Sequence, residues 1–333
     1  QAMFDAGHAF EPYVESLFSD GVSLGFSDFE SYRTLPARTQ QALESGEKVI
    51  FQPRFEFGKF TCISDIVLVV EDKIVDLYEI KSSTSVKPEH LYDLAFQKVV
   101  LEGNGLDVRR VYVIHVNNQY VRHGDIIAKE LTVLEDVTEK VNELAIKTPG
   151  CMQAASETIR QSSMPDPDPA LAKLGSKADW LKIYENIFPP EEKIWPPDTH
   201  PTIDSAEINR FLAGLKYPLY FFDYETFQGL IPYFDGQRPY QQVPFQYSLH
   251  ILRTPDGKIE HREYLHKDSS NPVEAIAKQL IDDVSDSGSI IAWNMQFEKS
   301  VNDELGRMLP ELSEKITAIN ERVVDLMEPF KKK

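Results

Sequence analysis

The sequence predicts a mixed α/β protein built as two unlike domains, and three observations carry that prediction. Its 333 residues exceed the roughly 100–200 that a single domain usually organises. Short runs rich in Val, Ile, Tyr and Phe alternate with segments of helical period in both halves. Between the halves, from about Lys147, lies a stretch rich in Pro, Ser and Gly that reads as a connection rather than a core. No internal repeat relates the halves, so they are expected to be different folds.

The elements follow in order. Residues 3–18 place Phe10, Tyr13, Val14 and Leu17 on one stripe, which predicts a helix. From 49 to 81 the pattern shifts to the β-rich runs VIFQPRFEF, FTCISDIVLVV and KIVDLYEIK, separated by Gly58 and by Glu71 and Asp72, a predicted three-strand meander. Residues 91–101 read as a helix and 111–116 (VYVIHV) as a central strand. These make up a first domain over 1–147. A linker with short helices, one of them ADWLKIYENIF, is expected over 148–203. The second domain, 204–333, is predicted to run helix (204–215), buried strand (YPLYFFDYET), strands near 245–252 and 259–265, and helix (272–284). A second buried strand (SIIAWN), a helix (296–308) and a short strand near 323–326 complete it.

Composition removes several function classes. The apolar and aromatic content is that of a globular chain, so disorder is not expected. The longest apolar runs, 66–70 and 219–222, fall far short of the roughly 20 residues of a membrane helix, so a soluble protein with no membrane partner is predicted. Two cysteines, Cys62 and Cys151, cannot build a disulfide framework or a four-cysteine cluster site, which favours a reducing, cytoplasmic setting. The first residues, from Gln1, lack a charged-then-apolar pattern, so no signal peptide is expected there. The net charge of −18 argues at first against a polyanionic partner. It is unevenly spread: residues 1–80 carry −8 and residues 81–130 carry +1.

Two constellations suggest where some of the acids work. Asp65 interrupts an apolar run, and Glu79 and Lys81, two residues apart in a strand, share a face. Two carboxylates and an ammonium on neighbouring strands can hold a divalent metal and position a water, the needs of phosphodiester hydrolysis. The helix before them carries Glu11, and the helix after them presents His90, Asp93 and Gln97 on one face. The plain alternative is a bulged edge strand with a cross-face ion pair. In the second half, Asp223 and Glu225 end a buried strand and point to one face, and Glu298 opens the helix after another buried strand. A metal pair is one expectation for these three. The alternative is that Glu225 and Glu298 merely complement helix dipoles, at about 0.3–1 kcal/mol each.

On G-H-A-F-E (7–11), S-D (64–65), E-I-K (79–81) and A-F-Q (95–97), the first 145 residues resemble the RecB-type PD-(D/E)XK nucleases, a restriction-endonuclease-like fold. The resemblance implies Asp65 and Glu79 as metal ligands, Lys81 serving the attacking water, Gln97 assisting, and Glu11 as an extra ligand. The sequence departs at Phe10, where many relatives place a ligating His, and at Leu101, where they place a Tyr. Cluster-binding relatives carry four cysteines, so no iron–sulfur centre is expected here. F-D-Y-E-T (222–226) and W-N-M-Q-F-E (293–298) resemble the first two motifs of DEDD exonucleases, which have an RNase H-like mixed-sheet fold. V-V-D-L (323–326) resembles a following Asp segment that is not normally a ligand, and the third motif is expected beyond Lys333. The whole pattern is similar to an uncharacterised bacterial family joining these two nuclease domains.

The expectation is therefore a Mg²⁺- or Mn²⁺-dependent nuclease, an exonuclease, hydrolysing DNA, with RNA the other candidate and DNA repair or defence the setting. Lys81, Lys87, Lys98, Arg109, Arg110 and Arg122 are candidates for holding the phosphate backbone. The competing expectation is a catalytically silent nuclease-like scaffold that binds nucleic acid or a partner protein.

Overall fold

The computed structural model describes residues 2–163 and 204–331. The first unit contains helices α1 (Ala2–Glu15), α2 (Phe29–Glu44), α3 (Pro88–Gly103), α4 (Ala128–Leu131), α5 (Thr138–Ala145) and α6 (Thr148–Ile159). Its strands are β1 (Val22–Ser23), β2 (Val49–Phe51), β3 (Arg54–Phe57), β4 (Phe60–Ile63), β5 (Ile66–Glu71), β6 (Ile74–Lys81), β7 (Asp107–Val116) and β8 (Thr132–Asp136). Six strands form a mixed sheet in the order β1-β2-β5-β6-β7-β8, with β6 and β7 parallel.

The β6 and β7 runs are apolar on both sides because both faces of the sheet are covered. On one face Val75, Leu77, Val111 and Val113 pack against Leu94, Ala95 and Leu101 of α3. On the other, Tyr78, Ile114 and Val116 pack against Phe10 and Val14 of α1.

The structure corrects three expectations. The 49–81 region is not a three-strand meander, because β3 and β4 pair only with each other as a separate hairpin. Asp65 therefore sits at the junction between β4 and β5 rather than within one strand. Residues 148–159 form helix α6, whose Met152 is buried in the first core, so the packing of the first unit continues past 147. The ADWLKIYENIF segment lies outside the described residues.

The second unit holds α7 (Ser205–Ala213), β9 (Leu219–Phe227), β10 (Val243–Leu252), β11 (Ile259–Leu265), α8 (Val273–Asp283) and β12 (Ser289–Ala292). It ends with α9 (Met295–Met308), α10 (Ser313–Asn320), β13 (Val323–Asp325) and α11 (Glu328–Lys331). Its sheet runs β11-β10-β9-β12-β13, antiparallel across the first three strands and parallel across β9, β12 and β13. In β9, Phe222 and Tyr224 point into the core and Asp223 and Glu225 point out, the period-2 alternation of a strand covered on one face. Ile276, Ala277 and Leu280 of α8 and Val301 and Leu305 of α9 close that core. Among the described residues no helix is long and apolar enough to cross a membrane.

Candidate active site

Period-2 geometry places Glu79 and Lys81 side by side at the end of β6, and Lys81 Nζ donates to Glu79 Oε1 at 2.7 Å. The same ammonium donates to Asp93 Oδ2 at 3.0 Å. Four residues further along α3, Gln97 Nε2 donates to the other Glu79 oxygen at 2.9 Å. Asp65 joins from the β4–β5 junction, its Oδ2 accepting from the Ile80 backbone N–H at 2.6 Å. One strand end, one junction and one helix face therefore converge on the Glu79 carboxylate.

The electrostatics of the cluster follow from its burial. Desolvation, reinforced by the Glu79 charge, pushes the Asp65 carboxyl well above the ordinary carboxylate range despite its backbone hydrogen bond. Burial also raises Glu79, with Lys81 opposing and Asp93 reinforcing the shift. For Lys81 burial works against the charged form, but Glu79 and Asp93 outweigh it and the ammonium holds its proton above the usual lysine range. Three carboxylates thus face one lysine, an excess that a proton or a bound cation would relieve.

A cleft of about 290 Å³ opens beside the cluster, lined by Gly7, His8, Phe10, Glu11, Ile80, Lys81 and Ser82. Glu11 faces it, 3.3 Å from His8 Nδ1. Phe10, at the position where the resemblance places a ligating histidine, has its side chain in the core between α1 and the sheet.

The predicted backbone-binding cations meet different fates. Lys87 is exposed just before α3, close enough to act, behind burial and Lys81, in pushing the His90 imidazole down. Lys98 is buried, its ammonium spent on Glu102 and on the Val108 carbonyl at 3.0 Å. Arg109 makes a bidentate pair with buried Asp76 at 2.9 and 2.6 Å. Arg110 pairs with Asp136 at 3.0 Å. Both arginines lie toward the far end of β7, since Arg110 is in register with Asp76 whereas His115 is in register with Lys81. Arg122 donates to the carbonyls of Gly124, Pro232 and Tyr233. Lys98 and Arg122 are therefore structural anchors rather than open phosphate contacts.

In the second unit, parallel pairing brings the ends of β9, β12 and β13 together. Glu298, in the first turn of α9, is only 2% exposed, and its Oε2 has no hydrogen-bond partner. Burial first, then the Asp223 and Asp325 charges, push its carboxyl up to about 7, with its own backbone N–H opposing. The Asp223 charge thus acts on Glu298, whereas that of exposed Glu225 is not among the charges that do. For Asp325 the resemblance implies no ligand role. Here it caps the Asn294 and Met327 backbone N–H groups at 3.1 and 3.0 Å and faces Glu298. Its signal was present: a lone acid ending a short apolar strand. Asp93 carried a comparable signal in its i+3, i+7 spacing with His90 and Gln97.

Among the described residues no group of three or more His, Cys, Asp or Glu side chains is arranged to hold a metal ion. Residues 220–333, which span nearly all of the second unit from β9 onward, are similar to a family described as a domain of unknown function (DUF2779). No curated protein matches the chain.

Proposed function

We propose that the chain is a metal-dependent nuclease that hydrolyses DNA phosphodiester bonds, with the working site at the end of β6. The observation that carries this reading is the Glu79 carboxylate held between Lys81 and Gln97 beside a second desolvated carboxylate, Asp65. The finer fold reading belongs to the same proposal. A PD-(D/E)XK first unit is supported by the order helix, antiparallel β2-β5-β6, helix, parallel β7. An RNase H-like second unit is supported by a sheet whose first strand lies central, with two antiparallel strands on one side and two parallel strands on the other. A cytoplasmic setting is supported by two cysteines that are both free.

Asp65 and Glu79 fit a divalent cation because both are withdrawn from water and only one lysine offsets them. They would hold Mg²⁺ or Mn²⁺, with Glu11 across the cleft as a further oxygen donor. Such an ion, when bound, supplies Lewis acidity toward a phosphoryl oxygen and a more acidic water. The chain's own groups do the rest. Lys81 keeps its proton, so its part is to donate hydrogen bonds that orient the attacking water and stabilise charge, not to act as a base. Gln97 fixes the Glu79 carboxylate plane, and its Oε1, buried without a partner, is a free acceptor.

The test is cleavage of end-labelled single-stranded and duplex DNA, and of matching RNA, with Mn²⁺ or with EDTA. Lys81→Ala should lower the Mn²⁺-dependent rate about a hundredfold or more in protein that circular dichroism shows to be folded. Undiminished cleavage by this variant would sink the assignment.

A second reading, a catalytically silent scaffold that binds nucleic acid or a partner protein, is favoured by the double ion pair of Lys81. An ammonium clamped by two carboxylates can serve simply to fasten α3 to β6. Calorimetric Mn²⁺ titration separates the two, because a scaffold has no binding that Asp65→Ala abolishes.

A further inference from the structure

The second unit reaches into the first through its 229–242 loop, which leaves β9 just beyond Asp223 and Glu225. Leu230 is 2% exposed and sits in the first unit's core with Phe10, Val14, Tyr78 and Tyr120. Ile231 and Tyr240 pack against the same cluster. Two backbone hydrogen bonds, Arg122 N to Gln237 O at 3.0 Å and Gly236 N to Arg122 O at 2.9 Å, fasten the loop to the segment after β7. The Asp235 carboxylate accepts from the Gly124 N–H at 2.8 Å.

The loop is internally fixed as well. Gln237 Oε1 accepts from the Tyr233 and Phe234 N–H groups, and Gln241 Oε1 accepts from that of Arg238. The Tyr240 N–H closes it on the Gly229 carbonyl at 2.8 Å. Tyr240 itself has φ +59, the left-handed region that a bulky residue enters only when its surroundings hold it there.

In that conformation the Tyr240 ring packs on the first unit's core and its hydroxyl donates to the carbonyl of Ser82. Ser82 follows Lys81 directly and lines the cleft with it. On the other side, the Ser83 carbonyl accepts from Val116 N at 3.0 Å. The backbone leaving Lys81 is thus held from two sides, once by the first unit's own sheet and once by the second unit. The α1 wall of the cleft, which carries Glu11, is braced by the same loop through Leu230 and Phe10.

We propose that the 229–242 loop of the second unit is a working part of the first site, and that Tyr240 is a positioning residue that sets Lys81 against the Asp65 and Glu79 carboxylates. This rests on the nuclease reading of that site. It gives a reason for two unlike units to share one chain: the backbone that leaves the first unit's cleft is braced by the second. A displacement of about 1 Å at a reacting group can cost as much as a hundredfold in rate, so a lost brace at Ser82 is legible in turnover.

The experiment uses the full chain and Tyr240→Phe, which keeps the ring in its packing and removes only the hydroxyl. Mn²⁺-dependent cleavage should show kcat lowered about tenfold with KM unchanged, a split that loss of fold or of substrate binding does not produce. Backbone hydrogen exchange should rise in 82–86 and stay unchanged in β9 and β10. Wild-type kcat in Tyr240→Phe overturns the proposal, as does unaltered exchange in 82–86. If the wild-type chain cuts no substrate, the nuclease reading falls, and the exchange measurement alone decides whether the brace exists.

Discussion

The molecule buries carboxylates at two strand ends and treats them in opposite ways. In the first unit, Glu79 has a partner for each oxygen, Lys81 on one and Gln97 on the other, and Asp65 has the Ile80 N–H. In the second, Glu298 is as deeply buried, but one oxygen has no partner, and the nearest charges acting on it are the acids Asp223 and Asp325. Hydrogen bonds and an ammonium make a buried carboxylate a fixed feature that can be shaped for chemistry. A buried carboxylate facing like charges is a cost that some bound species has to relieve. The first centre thus carries much of its compensation within the chain, with one lysine still outnumbered by carboxylates, whereas the charges acting on Glu298 are all of its own sign.

The largest expected effect tests that division directly. Asp65→Ala and Asp223→Ala, each in the full chain, should part company in the end-labelled DNA assay. The first should lose about a thousandfold or more of the Mn²⁺-dependent rate, and the second should stay close to wild type. The reverse pattern would move the chemistry to the second unit and leave the first as its support.

The next effect is on stability and concerns Glu298 alone. Its folded-state pKa of about 7 stands above the ordinary glutamate value of 4.5, so the folded protein binds this proton more tightly than the unfolded chain does. Stability therefore falls as pH rises through the window from 4.5 to about 7, and the penalty is complete above it. In metal-free protein that penalty is at most about 3 kcal/mol, reduced by whatever solvent reaches the carboxyl. Glu298→Gln removes the titration. Its urea midpoint should exceed that of wild type at pH 8 and match it near pH 4. Parallel curves across the whole range would mean that the charge on Glu298 is relieved by groups within the chain, and the contrast between the centres would go with it. Mn²⁺ added to wild type at pH 8 should close part of the gap if the added species is a cation.

Both centres were partly legible in the sequence, for reasons that differ by residue. Glu79 and Lys81 were placed on one face by strand period alone, and Gln97 by its helical spacing from Asp93, because both inferences use only local geometry. Asp325 was missed as a member of the second centre because its place depends on pairing β13 with β12, a contact made across the whole of α9 and α10. Helix α2 left almost no pattern: Pro36 lies within it, and Leu35, Thr39 and Ala42 are its buried residues. Its start is set by a capping box between Asp28 and Ser31. The β3–β4 hairpin was absorbed into the longer apolar runs on either side. The fates of Lys98 and Arg122 were not legible, since a cation's partner is a tertiary fact. Arg122 spends its guanidinium on carbonyls of Pro232 and Tyr233, which lie in the other unit.

The smallest effect sharpens the comparison from outside, by asking where along the first unit a phosphate chain could lie. Lys87 is exposed at the end of the sheet that carries Lys81, just before α3. Arg110 is also largely exposed but sits five registered positions away along β7, roughly 16 Å at strand rise, and is already paired with Asp136. If the substrate backbone approaches the Glu79 cluster, Lys87→Ala should weaken DNA binding a few-fold. It should also reduce the slope of log affinity against log salt by about 0.7 to 0.9, the release of roughly one counterion. Arg110→Ala should change neither by a measurable amount. Equal losses in the two variants would mean diffuse attraction to the surface. Such attraction is hard to reconcile with a chain of net charge −18, which can hold a polyanion only where its few unpaired cations stand beside a site that takes up the charge.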